Sequence, residues 1–280
     1  MKRAPRATSA RWLTLRNAAG GALLLVLLTC ASAAGVLAPG DPLRPAGPPL
    51  RPPGQIYLLG TDDLGRDVLA VLIHGSRLSL LVGGLAAFTS GVLGTLVGGV
   101  AGFIGGRTDD LLMRLTEAVQ VVPRFFLALI VATLFGPSAL MIALLLGLTF
   151  WPTSARLLRA QILSVRAREY VAGARAAGAT ETRIFLRHVL PNSISVVVVS
   201  TALQVGAAIL VEAGLGFLGL GDRSVVSWGN QLNGAQPVIR IAWWAAVFPG
   251  LAITLTVVGA NLVADSLNDA LDPRARTSSR

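Results

Sequence analysis

The sequence predicts an all-helical integral membrane protein with six transmembrane helices and both termini on the cytoplasmic side. Three observations predict it. First, 53% of the 280 residues are hydrophobic and only 14% are charged, whereas a soluble globular domain carries about 25% charged residues. Second, charge-free windows recur along the chain, each long enough for the ~20 residues a bilayer crossing needs. Third, the basic residues are distributed very unevenly among the segments between those windows.

The net charge is +10, nearly all of it arginine, since Lys2 is the only lysine. In a soluble chain such a balance points to nucleic acid. In a chain of mean hydropathy +0.67 it reports sidedness instead, and no nucleic-acid partner is expected. Cys30 is the single cysteine, which excludes an intrachain disulfide and a cysteine metal cluster.

Residues 1–16 read as a basic tail and 17–38 as the first transmembrane helix. Ala31-Ser32-Ala33 resembles a signal-peptide cleavage site, but the apolar run continues to Ala38, which favours an uncleaved anchor. Residues 78–106 form the second window. The window 125–155 is interrupted by Gly136-Pro137. It is therefore divided into a third span starting near Leu115, which carries Glu117 and Arg124, and a fourth over 138–155. Residues 189–211 and 241–264 supply the fifth and sixth. The five later spans make a core over 78–273, with a cytoplasmic loop at 156–190 and a short tail at 274–280. With the N-terminus inside, the inner segments hold 17 of the 24 basic residues and the outer ones six, with Arg124 left in the membrane. An even span count puts both termini inside.

Two outer segments remain. Residues 39–77 open on a Pro-rich linker between Pro42 and Pro53. Thr61 is an N-cap candidate for a helix with Val68, Leu69, Leu72 and Ile73 on one side, which would lie along the outer interface. Asp62, Asp63, Arg66, Asp67 and Trp228 are candidate contacts for an external protein partner. Simple solvation explains the charges as well, and Trp228 with Trp243 and Trp244 also fits an interfacial aromatic belt.

Inside the membrane, Arg124 lies 11 residues before Phe135, about 16 Å of helix. A mid-depth arginine is costly and faces water or a partner. Asp110, Arg114, Glu117 and Arg124 are spaced to share one helical face, with Pro123 bending the helix there. The stripe reads either as pore-lining or as a structural ion pair of Arg124 with Glu117 or a partner's acid. Gly94, Gly98 and Gly102 recur every fourth residue, a pattern for close helix packing within this chain or against a partner.

The segment 168–192, REYVAGARAAGATETRIFLRHVLPN, is polar and small-residue-rich within an oily chain. Helix-forming residues extend to Ala177, and Gly178 is a natural stop. Thr180 caps a second short helix, and Pro191 suits the first turn of the next span. Ile184 and Phe185 would supply an apolar anchor to a partner and the arginines would suit an acidic surface. A merely solvated loop that sets topology fits the same residues.

This segment resembles the cytoplasmic EAA loop of ABC-importer permeases, with Gly178 and Leu190-Pro191 at the expected offsets. The triplet itself reads Ala172-Gly173-Ala174; its acid is absent, and Glu169 is the nearest carboxylate. LGTDDLGRDVL (59–69), RIFLRHVLPN (183–192), LGFLGLG (215–221) followed by SWG (227–229), and NLVADSLNDALDP (261–273) are similar to the second permease subunit of the dipeptide/oligopeptide/nickel group. The resemblance implies the type I importer permease fold in a bacterial inner membrane and a partnership with a homologous permease, two cytosolic ATPase subunits and an external solute-binding protein. ATP and magnesium would sit on the ATPases. Coupling would pass through Glu169, Tyr170, Ala172, Ala174, Arg175, Gly178, Ala179, Thr180, Arg183, Ile184, Phe185 and Pro191. The implied solutes are di- or oligopeptides, nickel or another small solute.

The chain has no catalytic or metal constellation of its own. A P-loop needs a lysine after its glycines, and Lys2 cannot serve. His74 and His188 fall on opposite sides of the predicted membrane and cannot share a site. An ion-driven secondary transporter is the rival class, but the internal repeats typical of one are not seen in the sequence.

Overall fold

The computed structural model describes residues 9–222 and 224–271, with side chains from residue 18 onward. The basic side chains of Lys2, Arg3, Arg6, Arg11, Arg16, Arg223, Arg274, Arg276 and Arg280 lie outside the described part. Helix α1 spans Ser9–Ser32 and α2 spans Ala34–Leu37, followed by α3 (Val68–Ile104), α4 (Gly106–Val121), α5 (Arg124–Phe135) and α6 (Ala139–Arg166). Then come α7 (Glu169–Ala176), α8 (Glu181–Ile184), a π turn at Phe185–Val189, α9 (Ser195–Phe217), α10 (Trp228–Ala235), a 3₁₀ turn at Gln236–Val238 and α11 (Trp244–Leu271).

Four helices, α3, α6, α9 and α11, are long and apolar enough to cross a membrane. The pair α4–α5, bent by 71°, counts as a fifth if taken as one span, and the apolar part of α1, Ala18–Ser32, is shorter. The tail assigned to 9–16 is already helical and continuous with α1.

Lipid offers no hydrophobic drive between helices, so close packing has to hold them. Along α3 the glycine repeat faces α6: a Cβ on Gly94 would meet Ser154 Cβ at 2.5 Å, one on Gly98 would overlap the Ala155 backbone, and one on Gly102 would lie 3.0 Å from the Arg159 carbonyl. The repeat therefore packs within this chain. Val82, Ala86, Ile142, Leu146, Phe150, Ala208 and Leu215 fill the core where α3, α6 and α9 meet.

Helix α3 has 37 residues, about 55 Å, and so extends well past a ~30 Å hydrocarbon core. This corrects the separate interfacial helix expected over 61–77. Val68 and Val71 are buried, and Val68 packs with Ala235, Ala242, Trp244 and Ala245. The N-cap is Asp67, whose carboxylate accepts from Leu69 N–H at 3.0 Å. Thr61 is not the cap. It is fully buried, accepting from Arg51 N–H and donating to the Pro48 carbonyl, both at 2.8 Å. The Pro-rich stretch is thus folded back on residues 61–65 by backbone bonds such as Leu50 N–H to the Asp62 carbonyl and is not an extended linker.

The tryptophan belt is corrected as well. Trp228 is buried and its indole N–H donates to the Leu72 carbonyl at 3.0 Å. Trp244 is buried and donates to the Thr61 carbonyl at 3.0 Å. Trp243 alone of the three is exposed. Buried indoles need such a partner; Trp228 ties α10 to α3, and Trp244 ties α11 to the segment before α3.

The predicted fifth span ended before Glu212, but α9 continues to Phe217 with Glu212 buried inside it. Ser79 Oγ donates to that carboxylate at 3.1 Å, so internal polar partners replace the water it would lose. At the other end of the predicted span, α9 starts at Ser195. Pro191 therefore lies in the turn before the helix and not in its first turn. Similarly, α6 does not stop near Ala155 but runs on to Arg166.

Candidate functional site

The end of α6 and the segment that follows it are held at base and tip respectively. At the base, Arg159 makes a two-pronged ion pair with Asp109 of α4, Nε–Oδ1 2.5 Å and Nη2–Oδ2 2.6 Å. Arg166 Nη1 donates to the carbonyls of Gly102 and Phe103 at 3.1 and 2.5 Å, capping the otherwise unpaired end of α3. At the tip, α7 ends in a Schellman motif: Gly178 N–H donates to the Arg175 carbonyl at 3.0 Å and Ala179 N–H to the Ala174 carbonyl at 3.2 Å. The motif needs a left-handed residue, and Gly178 has φ +82°. Thr180 then caps α8, accepting from Arg183 N–H at 3.4 Å.

Arg175 and Glu181 close the tip with a bidentate pair. The hydrogen bonds from Arg175 hold the Glu181 carboxyl below its usual range, and the same bonds raise Arg175.

The underside of this segment is apolar. Val171, Ile184 and Val189 are buried against Leu158, Ile162, Val165 and Val197. The Phe185 ring lies 4.8 Å from that of Phe103. Ile184 and Phe185 are therefore not an anchor offered to a partner; they fasten the loop to its own helices. The outward surface is made by Glu169, Tyr170, Ala172, Gly178 and Arg183, with Leu186 57% exposed. Sequence reading missed Leu186. The π turn, in which Leu190 N–H reaches back to the Phe185 carbonyl at 2.8 Å, shifts the facing of these residues away from regular helical spacing.

At the opposite end of the bundle the predicted contact residues separate. Asp62 is buried, accepting from the N–H groups of Leu64 and Arg66 and from Arg66 Nε at 2.6 Å. Asp62 and Arg66 thus serve the turn, Asp67 serves the cap and Trp228 is inside. Asp63 is the predicted contact left without such a structural task among the described residues. In the same outer segment, Ile56, Leu58 and Leu64 are exposed.

The predicted charged stripe also divides. Val122-Pro123 separates α4 from α5, because proline lacks the N–H and disfavours the helical conformation of the residue before it. Pro123 is the N-cap of α5 and Arg124 its first residue, so Asp110, Arg114 and Glu117 stay on the exposed side of another helix. No carboxylate pairs with Arg124 among the described residues, which removes the Glu117 pairing. Instead Arg124 Nη2 donates to Thr153 Oγ1 at 3.3 Å, and its guanidinium carbon lies 4.7 Å from the centre of the Phe150 ring. Thr153 stands midway along α6. Arg124, Thr153, Ser200, Gln204 and Asn268 share the wall of a cavity of about 400 Å³. Behind it, Gln204 Nε2 donates to Ser154 and Ser200 at 3.0 and 3.2 Å, and its Oε1 accepts from Ser90.

A multi-helix apolar bundle with a docked polar loop at one end and a polar seam at mid-height defines a membrane transport component. Residues 94–277 match the family of binding-protein-dependent transport system inner membrane components, and the chain belongs to that family. It is a multi-pass bacterial inner-membrane protein. Among curated relatives, it is 39% identical over 272 residues to the di/tripeptide transport system permease protein DppC of Pseudomonas aeruginosa, covering 94% of this chain and 90% of that one. It is 38% identical to the dipeptide transport system permease protein DppC of Bacillus subtilis, over 80% of this chain and 71% of the relative. The oligopeptide transport system permease protein OppC of Haemophilus influenzae is likewise 38% identical, over 79% and 71%.

Proposed function

We propose that this chain is one of two pore-forming permease subunits of an ATP-driven, binding-protein-dependent importer of small peptides. Its partner permease is a homologous chain, giving a heterodimer served by two cytosolic ATPase subunits and an external solute-binding protein. The chain crosses the membrane six times, counting α1 and the bent α4–α5 pair, with both termini and α7 on the cytoplasmic side. ATP and magnesium are bound by the ATPases.

The observation that carries the mechanism is the α7–π-turn segment. A loop fastened to α6 and α9 through Val171, Ile184 and Val189, on an α6 end that Arg159 and Arg166 tie to α4 and α3, moves as one body with α3, α6 and α9. A push on its outer face, at Tyr170, Ala172, Gly178 and Leu186, therefore reaches the helices that wall the path. Small residues there let an ATPase groove approach closely, and with Ala172 in place of an acid that contact does not depend on a carboxylate at this position. On the far side, Asp63 with Leu58 and Leu64 forms the surface for the binding protein. The peptide assignment is supported by the relatives, which are named as di/tripeptide, dipeptide and oligopeptide permeases.

The test is co-expression of the chain with its partner permease and ATPases. A stable complex with two ATPase subunits, importing peptide in liposomes only with binding protein and ATP, is expected. Purification as a lone transporter with ion-driven uptake would overturn the assignment.

A further inference from the structure

We propose that the cavity between α5, α6 and α9 is a carboxylate-binding station on the peptide path, with Arg124 as its ligand and Thr153 and Asn268 beside it. This rests on the peptide-importer assignment above and adds a chemical selectivity that belongs to the membrane component itself.

The cavity is a donor site without a matching acceptor. Guanidinium carries five N–H donors, and one is engaged among the described residues, by Thr153. Because Thr153 Oγ1 accepts that bond, its own O–H is left to donate. No aspartate or glutamate lines the cavity. Gln204 is not available as a ligand, since its amide is committed to Ser90, Ser154 and Ser200; it forms a rigid back wall. The Asn268 amide also opens on the cavity.

Two further features favour an anion. Arg124 is the first residue of α5 and no side chain caps that helix, so the positive end of the helix dipole lies at the same point. The Phe150 ring supports the guanidinium plane, which presents its fork in a fixed orientation suited to a planar carboxylate. A charged arginine at mid-height needs water or a counter-charge. Every peptide with a free C-terminus brings one, whereas its ammonium end finds no complement here. A transit site must also release its cargo, and the half-buried position of Arg124 leaves the bond open to water.

The experiment uses the full complex in liposomes with one binding protein. Uptake of a labelled dipeptide as the free acid is compared with uptake of its C-terminal amide. The binding protein's own preference cancels when each variant's acid-to-amide ratio is divided by the wild-type ratio. For Arg124→Gln the ratio is expected to fall by about tenfold, the scale of one hydrogen bond to a charged group, with Arg124→Lys retaining part of it and Thr153→Val intermediate. An unchanged ratio in Arg124→Gln overturns the proposal. Equal loss of both substrates together with weaker association of the two permeases would likewise overturn it, identifying Arg124 as half of an ion pair between subunits. If Arg124→Gln does not assemble, Arg124→Lys decides: it keeps the charge but not the fork, and an unshifted ratio is again contrary. A wild-type complex that moves neither peptide overturns the peptide assignment and this inference with it; an unchanged ratio overturns the inference alone.

Discussion

Arg175 Nε donates to Glu181 Oε1 at 2.6 Å and Arg175 Nη2 to Glu181 Oε2 at 2.9 Å, so a two-pronged pair bridges the turn at Gly178 that would meet an ATPase. Because those hydrogen bonds depress the Glu181 pKa, the pair contributes at neutral pH, and its contribution is lost as pH falls through the depressed folded value, below the ordinary glutamate pKa of ~4.3. Both groups are exposed to solvent, so salt screens them too. Hydrogen exchange of the amides at 175–181, corrected for intrinsic rates, is expected to speed up as pH is taken well below the ordinary glutamate pKa of ~4.3 and in high salt at pH 7. Protection unaffected by both would show that the Schellman motif alone holds the tip.

At Gly178 the constraint is the backbone, not space: φ is +82° and a Cβ would meet no atom within 4 Å. Gly178→Ala is expected to cost about 1 kcal/mol of loop stability and Gly178→Asn less, since asparagine tolerates the left-handed conformation. A bulky residue such as Trp carries the same backbone cost and also crowds whatever docks on the loop. Uptake should therefore rank glycine, asparagine, alanine, tryptophan, with the tryptophan variant releasing the ATPases while the membrane helices still insert. Equal damage from Ala and Trp would mean that the partner contact does not lie at this residue.

Gly98 provides the opposite case, because a Cβ there overlaps the Ala155 backbone, whereas one at Gly84 meets nothing. Gly98→Ala is expected to force α3 and α6 apart and to destabilise by about 1–3 kcal/mol, as overpacking does. Gly84→Ala should be neutral or slightly stabilising from its better helix propensity. Thermal unfolding in detergent separates them, and a neutral Gly98→Ala would show that the α3–α6 contact can give way.

These contrasts mark what was legible beforehand. Long apolar runs reveal membrane helices because lipid demands them, and Gly178 and Thr180 were readable because caps and left-handed turns are local chemistry. Boundaries drawn at charges failed where the charge is satisfied internally. Glu212 accepts from Ser79 and Arg77 Nε donates to the Ala31 carbonyl at 2.7 Å, so α9 and α3 both continue through residues that looked like ends. The facing of Ile184, Phe185 and Leu186 was hidden because an unpredicted π turn sets it. Pro123 was read as a kink within one helix, yet it separates two, and that break brings Arg124 to Thr153 and away from Glu117.

The Asp109–Arg159 pair supplies the last prediction. Asp109 is buried while Arg159 keeps about a third of its side chain exposed, so removing either partner harms the two differently. Asp109→Ala leaves a guanidinium that can still reach water, whereas Arg159→Ala strands a carboxylate among α3, α4 and α6. Breaking a fully buried pair costs about 3–5 kcal/mol; the exposure of Arg159 reduces this to about 1–3 kcal/mol for Arg159→Ala and less for Asp109→Ala. The apolar double variant Asp109→Leu with Arg159→Met removes both charges and should recover much of the stability, because it strands neither group. Its coupling is a separate question. If the pair serves to make α6, and the loop it carries, follow α4, the double variant should melt near the wild-type temperature yet show binding-protein-stimulated ATP hydrolysis with reduced peptide uptake. Full uptake in that variant would assign the transmission to Arg166 and the buried cluster around Ile184 instead.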